Sequence, residues 1–276
     1  MTTSVRLPSA RLRPFVSRYA GYRWDGAPAM RHAGLPSRHL TLVISLGAPI
    51  HIEGAADSGS YGAFVSGLHA APVIVHGPAS PHGIRMMLTP LGARALLGVS
   101  SADLVGRTVA LGDLLGTRGH ELIERLHAAQ GWQHRFDILD ELLERGLRED
   151  RGADMRLEHA WSRLFDSNGQ APIAGLAREM DLSRRYLSQL FADEIGVAPK
   201  SLARIARFEH ACRLIRRGGG DLAGVAAESG YADQPHLGRE WVALTGSTPR
   251  IWMQRELPFV QDYELGGGLL IASRRG

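Results

Sequence analysis

The sequence predicts an α+β chain in which a β-rich N-terminal module is joined by a helical linker to an all-α domain carrying two helix-turn-helix units in tandem. Three observations predict it. Between residues 36 and 90, short apolar runs alternate with Gly, Pro and Ser clusters. After Pro90 the apolar spacing becomes that of helices. Finally, the stretch from Ser183 to Pro199 recurs as Asp233 to Pro249.

The strands come first. In His39-Leu40-Thr41-Leu42-Val43-Ile44-Ser45-Leu46 the apolar residues at 40, 42, 44 and 46 fall on one face of an extended chain. Residues 63–65, 72–75 and 84–88 read as further strands. Pro90 can then open a short helix through Leu91 to Leu97, which Gly98 stops. From Gln133 to Arg148, Phe136, Leu139, Leu143 and Leu147 share a helical face. That stripe either packs on the β module or is offered to a second subunit, and the sequence leaves both readings open. Another helix spans Arg156 to Phe165, and the cluster at residues 166–170 reads as a loop.

Each copy of the repeat encodes the same unit. Ser183 matches Asp233, Leu187 matches Leu237, Phe191 matches Trp241, Gly196 matches Gly246 and Pro199 matches Pro249, all at one interval. In the first copy Pro172 starts a helix through Ile173, Leu176 and Ala177, and Ser183 caps a second helix. In the second copy Leu222, Val225 and Ala226 form the first helix, Gly230 makes the turn and Asp233 is the cap. Pro235 lies in the first turn, where its missing N–H has no intrahelical partner. The inward residues are Leu187, Leu190 and Phe191 in one copy and Leu237 and Trp241 in the other. That leaves Arg184, Arg185, Ser188 and Gln189, and Gln234, His236, Arg239 and Glu240, for the outer faces. One long helix over residues 199–217 connects the units, and Gly218-Gly219-Gly220 ends it.

Composition sets bounds on function. A chain of 276 residues that is 44% hydrophobic buries a core and has room for two domains. No apolar run approaches the roughly 18 residues of a membrane span, and the opening MTTSVRLPSARLRPF lacks a secretory stretch, so a cytoplasmic protein with no membrane partner is expected. The net charge of +4 permits a polyanionic partner without requiring one. Lys200 is the sole lysine; the arginine excess suits phosphate or guanine binding and equally fits the mutational bias of a GC-rich genome. Cys212 is the only cysteine, which excludes a cysteine-built zinc site. It reads as a small apolar residue beside Ala211 and Leu214 rather than a reactive thiol.

Residues 156–256 resemble the DNA-binding domain of the AraC/XylS family of bacterial transcription regulators. The resemblance rests on Ala177, the run from Ser183 to Phe191, Gly196-Val197-Ala198-Pro199, Arg207 to Ala211, Ala226 to Asp233, and Thr245 to Pro249. Asp181 stands where the family usually has a turn glycine, and Pro235-His236-Leu237 replaces a Ser-Tyr-Phe-like run. The resemblance implies a division into residues 1–110, a cupin-like or barrel-like module for effector binding or dimerisation; 111–166, a helical linker; 167–256, the DNA-binding domain; and 257–276, a tail.

It also implies that each second helix enters a major groove, the two grooves about 34 Å apart on one face of the duplex. Arg185, Ser188, Gln189, Gln234, His236 and Arg239 are then the candidates for base edges, and Arg184, Lys200 and Arg250 those for phosphates. Double-stranded DNA is the expected partner; a small effector, RNA polymerase and a second copy of the chain are the others the layout allows. No cofactor, metal site, catalytic residue or enzymatic activity is expected. The competing reading is a metal-binding sensor or enzyme on the β-rich half, with His32, His39, His51, His69, His76 and His82 converging on an ion, although none shows an H-x-H spacing.

Overall fold

The computed structural model describes residues 2–54, 56–69, 73–148, 155–218 and 221–255. The expected strand start at Pro72, Gly219 and Gly220 of the helix stop, and the tail from residue 256 lie outside the described residues. The strands are β1 (Thr2–Arg6), β2 (Val16–Arg23), β3 (Met30–Gly34), β4 (Leu40–Ser45), β5 (Ile50–Glu53), β6 (Gly59–Tyr61), β7 (Ala63–Ser66), β8 (Val73–Gly77), β9 (His82–Leu88) and β10 (Thr108–Ala110). The helices are α1 (Pro90–Gly92), α2 (Leu111–Leu115), α3 (Thr117–Ala128), α4 (Trp132–Arg145), α5 (Met155–Asp166), α6 (Ile173–Glu179), α7 (Arg184–Glu194), α8 (Pro199–Arg216), α9 (Leu222–Glu228), α10 (Gln234–Thr245) and α11 (Pro249–Arg255). The architecture is the α+β one expected: two antiparallel sheets, a helical layer, then the helical domain.

The larger sheet runs β1-β2-β9-β4-β7-β10 and the smaller β3-β8-β5-β6. Strand alternation gives the larger sheet two different faces. Tyr19, Leu42, Ile44, Val65, Ile84 and Met86 point to the helical layer and belong to the main core. Ala20, Tyr22, Val43, Phe64 and Arg85, one residue out of step, face the smaller sheet.

The sequence placed strands only in residues 36–90, yet β1, β2 and β3 precede that window, and β2 pairs with β9 along its length. The apolar alternation of β2 is broken in two places. The register shifts between Val16 and Arg18, and at Gly21 any Cβ would meet the Trp132 ring at 2.3 Å, so only glycine lets α4 lie against the strand.

The helix expected at residues 91–97 starts as predicted, with Thr89 Oγ1 accepting from Gly92 N at 3.2 Å. It then widens into a π-helical turn over Ala93–Leu97 before Gly98 ends it at φ +79°. Helix α4 stops at Arg145, three residues before the expected end, because Gly146 caps it. Its stripe of Phe136, Leu139 and Leu143 packs on the β module, with Phe136 stacked on Tyr19 at 5.8 Å, which decides between the two readings left open by the sequence. The opposite face carries the ion pairs Arg125–Glu141 and Arg145–Glu121 to α3.

The helical domain divides its core. The first unit, α6 and α7, shares the main core with α5 and the first half of α8 through Leu176, Leu187, Phe191, Leu202 and Ile205. The second unit, α9 and α10, has its own core with the later part of α8 and Trp252 of α11. Cys212 is buried there, as a small apolar residue would be.

Candidate nucleic-acid interface and the cavity between the sheets

Both units close their turns with the same backbone bond. Leu182 N donates to Ala177 O at 2.9 Å, and Tyr231 N donates to Ala226 O at 2.9 Å. Ala177 and Ala226 are buried on the first helix of each unit, where a small side chain suits close approach of the second helix. The tight turns need left-handed backbone at Asp181 (φ +54°) and Gly230 (φ +76°). Asp adopts that region at less cost than most residues, so the departure at 181 leaves the unit intact.

Helix α7 begins at Ser183, whose Oγ accepts from Tyr186 N at 3.1 Å; α10 begins at Asp233, whose Oδ1 accepts from His236 N at 2.6 Å. Gly196 and Gly246, at φ +79° and +73°, follow the two helices, and Pro199 and Pro249 open the next ones.

On α7, Arg184, Arg185, Ser188 and Gln189 are exposed; on α10, Gln234 and Arg239 are exposed. Lys200 and Arg250 are exposed in the first turns of α8 and α11. Gln189 Nε2 donates to Asp193 one turn on, at 2.8 Å. His236 is only half exposed: its Nδ1 accepts from Ala232 N at 3.3 Å and its ring stands edge-on to Tyr231, so part of its hydrogen-bonding capacity secures the turn. Glu240, expected outside, instead turns to α8 and accepts from Arg204 Nε at 2.6 Å. Tyr186, to which the sequence pattern assigns no contact, is 49% exposed among the arginines of α7, its ring beneath the Arg156 guanidinium at 5.8 Å.

The second site lies between the sheets. A cavity of about 200 Å³ is walled by Val43, Ile50, Ile52, Phe64, Val73 and Val75, with Tyr22, Trp24, His32 and Arg85 among the polar residues lining it. Burial pushes Tyr22 up to about 12 and His32 down to about 4, the latter helped by the positive charge of Arg85. His32 is therefore neutral at pH 7, and its Nδ1 is buried without a partner.

The six histidines do not converge. His51 and His76 face each other at 5.5 Å and His76 pairs with Glu53, but no group of three metal-ligating side chains occurs among the described residues. Nor is any described helix long and apolar enough to cross a membrane.

The buried His32 makes stability pH-dependent. Its folded pKa lies below the ordinary 6.5, so the unfolded chain binds the extra proton first. The contribution is complete above pH 6.5 and is lost as the pH falls toward 4. Going from pH 7 to pH 5 should cost the wild type about 2 kcal/mol more than His32→Asn, read from urea midpoints at each pH. Parallel pH profiles for the two proteins would rule this out.

Comparison with known proteins follows the same division. A helix-turn-helix domain family matches residues 176–255, and a domain of unknown function (DUF6597) matches residues 4–110. No curated protein sequence matches the chain. Among solved structures, ToxT from Vibrio cholerae is matched at 11% identity over 92% of this chain and 99% of its own, with a TM-score of 0.51. Wild-type ToxT with unsaturated fatty acid bound is matched at 10% identity over 86% of this chain and 95% of its own, with a TM-score of 0.50. At such identities the likeness is one of fold, and it extends across both halves of the chain.

Proposed function

We propose that the chain is a helix-turn-helix transcription regulator of the AraC/XylS family and that it reads two successive major grooves of duplex DNA through α7 and α10. The observation that carries this reading is the equivalence of the two units: the same turn-closing bond, the same side-chain cap and an exposed polar face on each second helix. Arg239 has the chemistry to pair with guanine O6 and N7, and Gln189 or Gln234 with adenine N6 and N7, each pairing supplying roughly 1–3 kcal/mol of discrimination. Arg184, Lys200 and Arg250 hold the phosphates. Helix α8, with one half in each core, sets the distance between the two readers.

We assign the cavity between the sheets to a small effector. Its walls are apolar, Arg85 supplies positive charge, and no carboxylate is among the described residues that line it, a combination suited to an apolar molecule with an acidic end. ToxT, which shares the fold, is a protein with an unsaturated fatty acid bound.

Salt titration tests the DNA reading. Three phosphate contacts give a slope of log K against log salt of about −2.7, and Lys200→Ala should flatten it by about one unit on every duplex alike. A slope unchanged in that variant, measured by fluorescence anisotropy, would remove Lys200 from the interface.

A further inference from the structure

The chain between β3 and β4 has a different neighbour on each side. Gly34, Leu35, Ser37 and His39 line the cavity. Arg38, between them, reaches away to the DNA-binding half: its backbone N donates to Glu209 Oε1 at 2.7 Å and its Nε to Glu209 Oε2 at 2.6 Å. The Arg38 guanidinium also lies over the Phe165 ring of α5 at 4.4 Å, and Leu35 packs against the core of the second helix-turn-helix unit. Glu209 sits in the middle of α8, where the helix passes from one core to the other, and is 7% exposed.

Burying an ion pair costs desolvation of both partners, so its net stabilisation is small and its main effect is to hold one geometry. Here that geometry ties a cavity-lining segment to the helix that spaces the two DNA readers. With little water at Glu209 to replace the two bonds, a shift of residues 34–39 on the cavity side has to break them or carry α8 along.

We infer that residues 34–39 form the strap by which occupancy of the cavity is transmitted to α8, with Arg38 as the positioning residue that couples the two. This rests on the reading of the cavity as an effector site. Occupancy then alters the relative placement of α7 and α10, and with it DNA affinity, while the outer faces of both helices stay open.

The test uses the full chain, a duplex that it selects from randomised DNA, and oleate as the probe. Oleate should change the wild-type Kd for DNA about 5-fold or more, the usual scale of coupling between two sites. In Glu209→Gln, and in Arg38→Gln as a second variant, the ratio should fall below about 2-fold while oleate binds the DNA-free protein as in the wild type. Variants that bind oleate and keep the wild-type ratio would overturn the strap. A second arm needs no ligand: Ser66→Phe puts a ring into the cavity from β7, and its effect on DNA affinity should be strongly reduced in an Arg38→Gln background. Additive effects of those two substitutions would also overturn it. If oleate fails to bind the wild type but the second arm is non-additive, oleate is not the effector and the strap stands.

Discussion

Trp241→Ala is expected to cost about 3–5 kcal/mol, more than any other single truncation in the helical domain. The indole is fully buried and stands edge-on to Phe208 of α8 at 4.8 Å and to Trp252 of α11 at 5.2 Å. It therefore joins three helices, α8, α10 and α11. The second unit has a core of its own, so the loss should be confined to it. Hydrogen exchange should accelerate across α9, α10 and α11 while the sheets keep their protection, and DNA binding should fall to the level of one reader. Uniform loss of protection, or none, would show that the cores are not separate.

Gly169→Ala should cost about 2–5 kcal/mol, combining the strain of left-handed backbone with overpacking. Gly169 has φ +74°, and a Cβ there would stand 2.2 Å from the backbone oxygen of Ala203. Its own carbonyl accepts from Arg207 Nη1 at 3.1 Å, and neighbouring Asn168 accepts from Arg213 at 2.6 Å. The link after α5 is thus pressed against α8 and bonded to it. A thermal midpoint within 2 °C of wild type for Gly169→Ala would contradict this packing.

That link marks where the sequence stops being legible. Residues 166–170 read as a loop from their Asp, Ser, Asn and Gly, which holds for residues 167–170, Asp166 being the last residue of α5, but is silent about what the loop touches. The helical domain was readable because each of its signals is local: Ser183 and Asp233 cap within a few residues, and the buried positions recur at helical spacing. The β module was readable at β4, where alternation is clean, and at β7, β8 and β9, whose short apolar runs lie between turn residues, but not at the strands that precede residue 36. Strand β2 was hidden by its register shift and by Gly21, whose reason lies in Trp132, far along the chain.

The same contrast holds for the sites. The exposed residues of α7 and α10 follow from helical geometry, but Glu240 was misplaced because its partner, Arg204, lies on another helix. The cavity was invisible, since Tyr22 and Arg85 come together only when β2 pairs with β9, and His32 reaches them from β3 in the other sheet.

Selection of bound fragments from randomised duplex DNA tests the central claim most directly. Two yoked readers should enrich two short blocks about one helical turn, 10–10.5 base pairs, apart, with Arg239→Ala degrading one block and Gln189→Ala the other. Enrichment of a single block, or of none, would contradict the account.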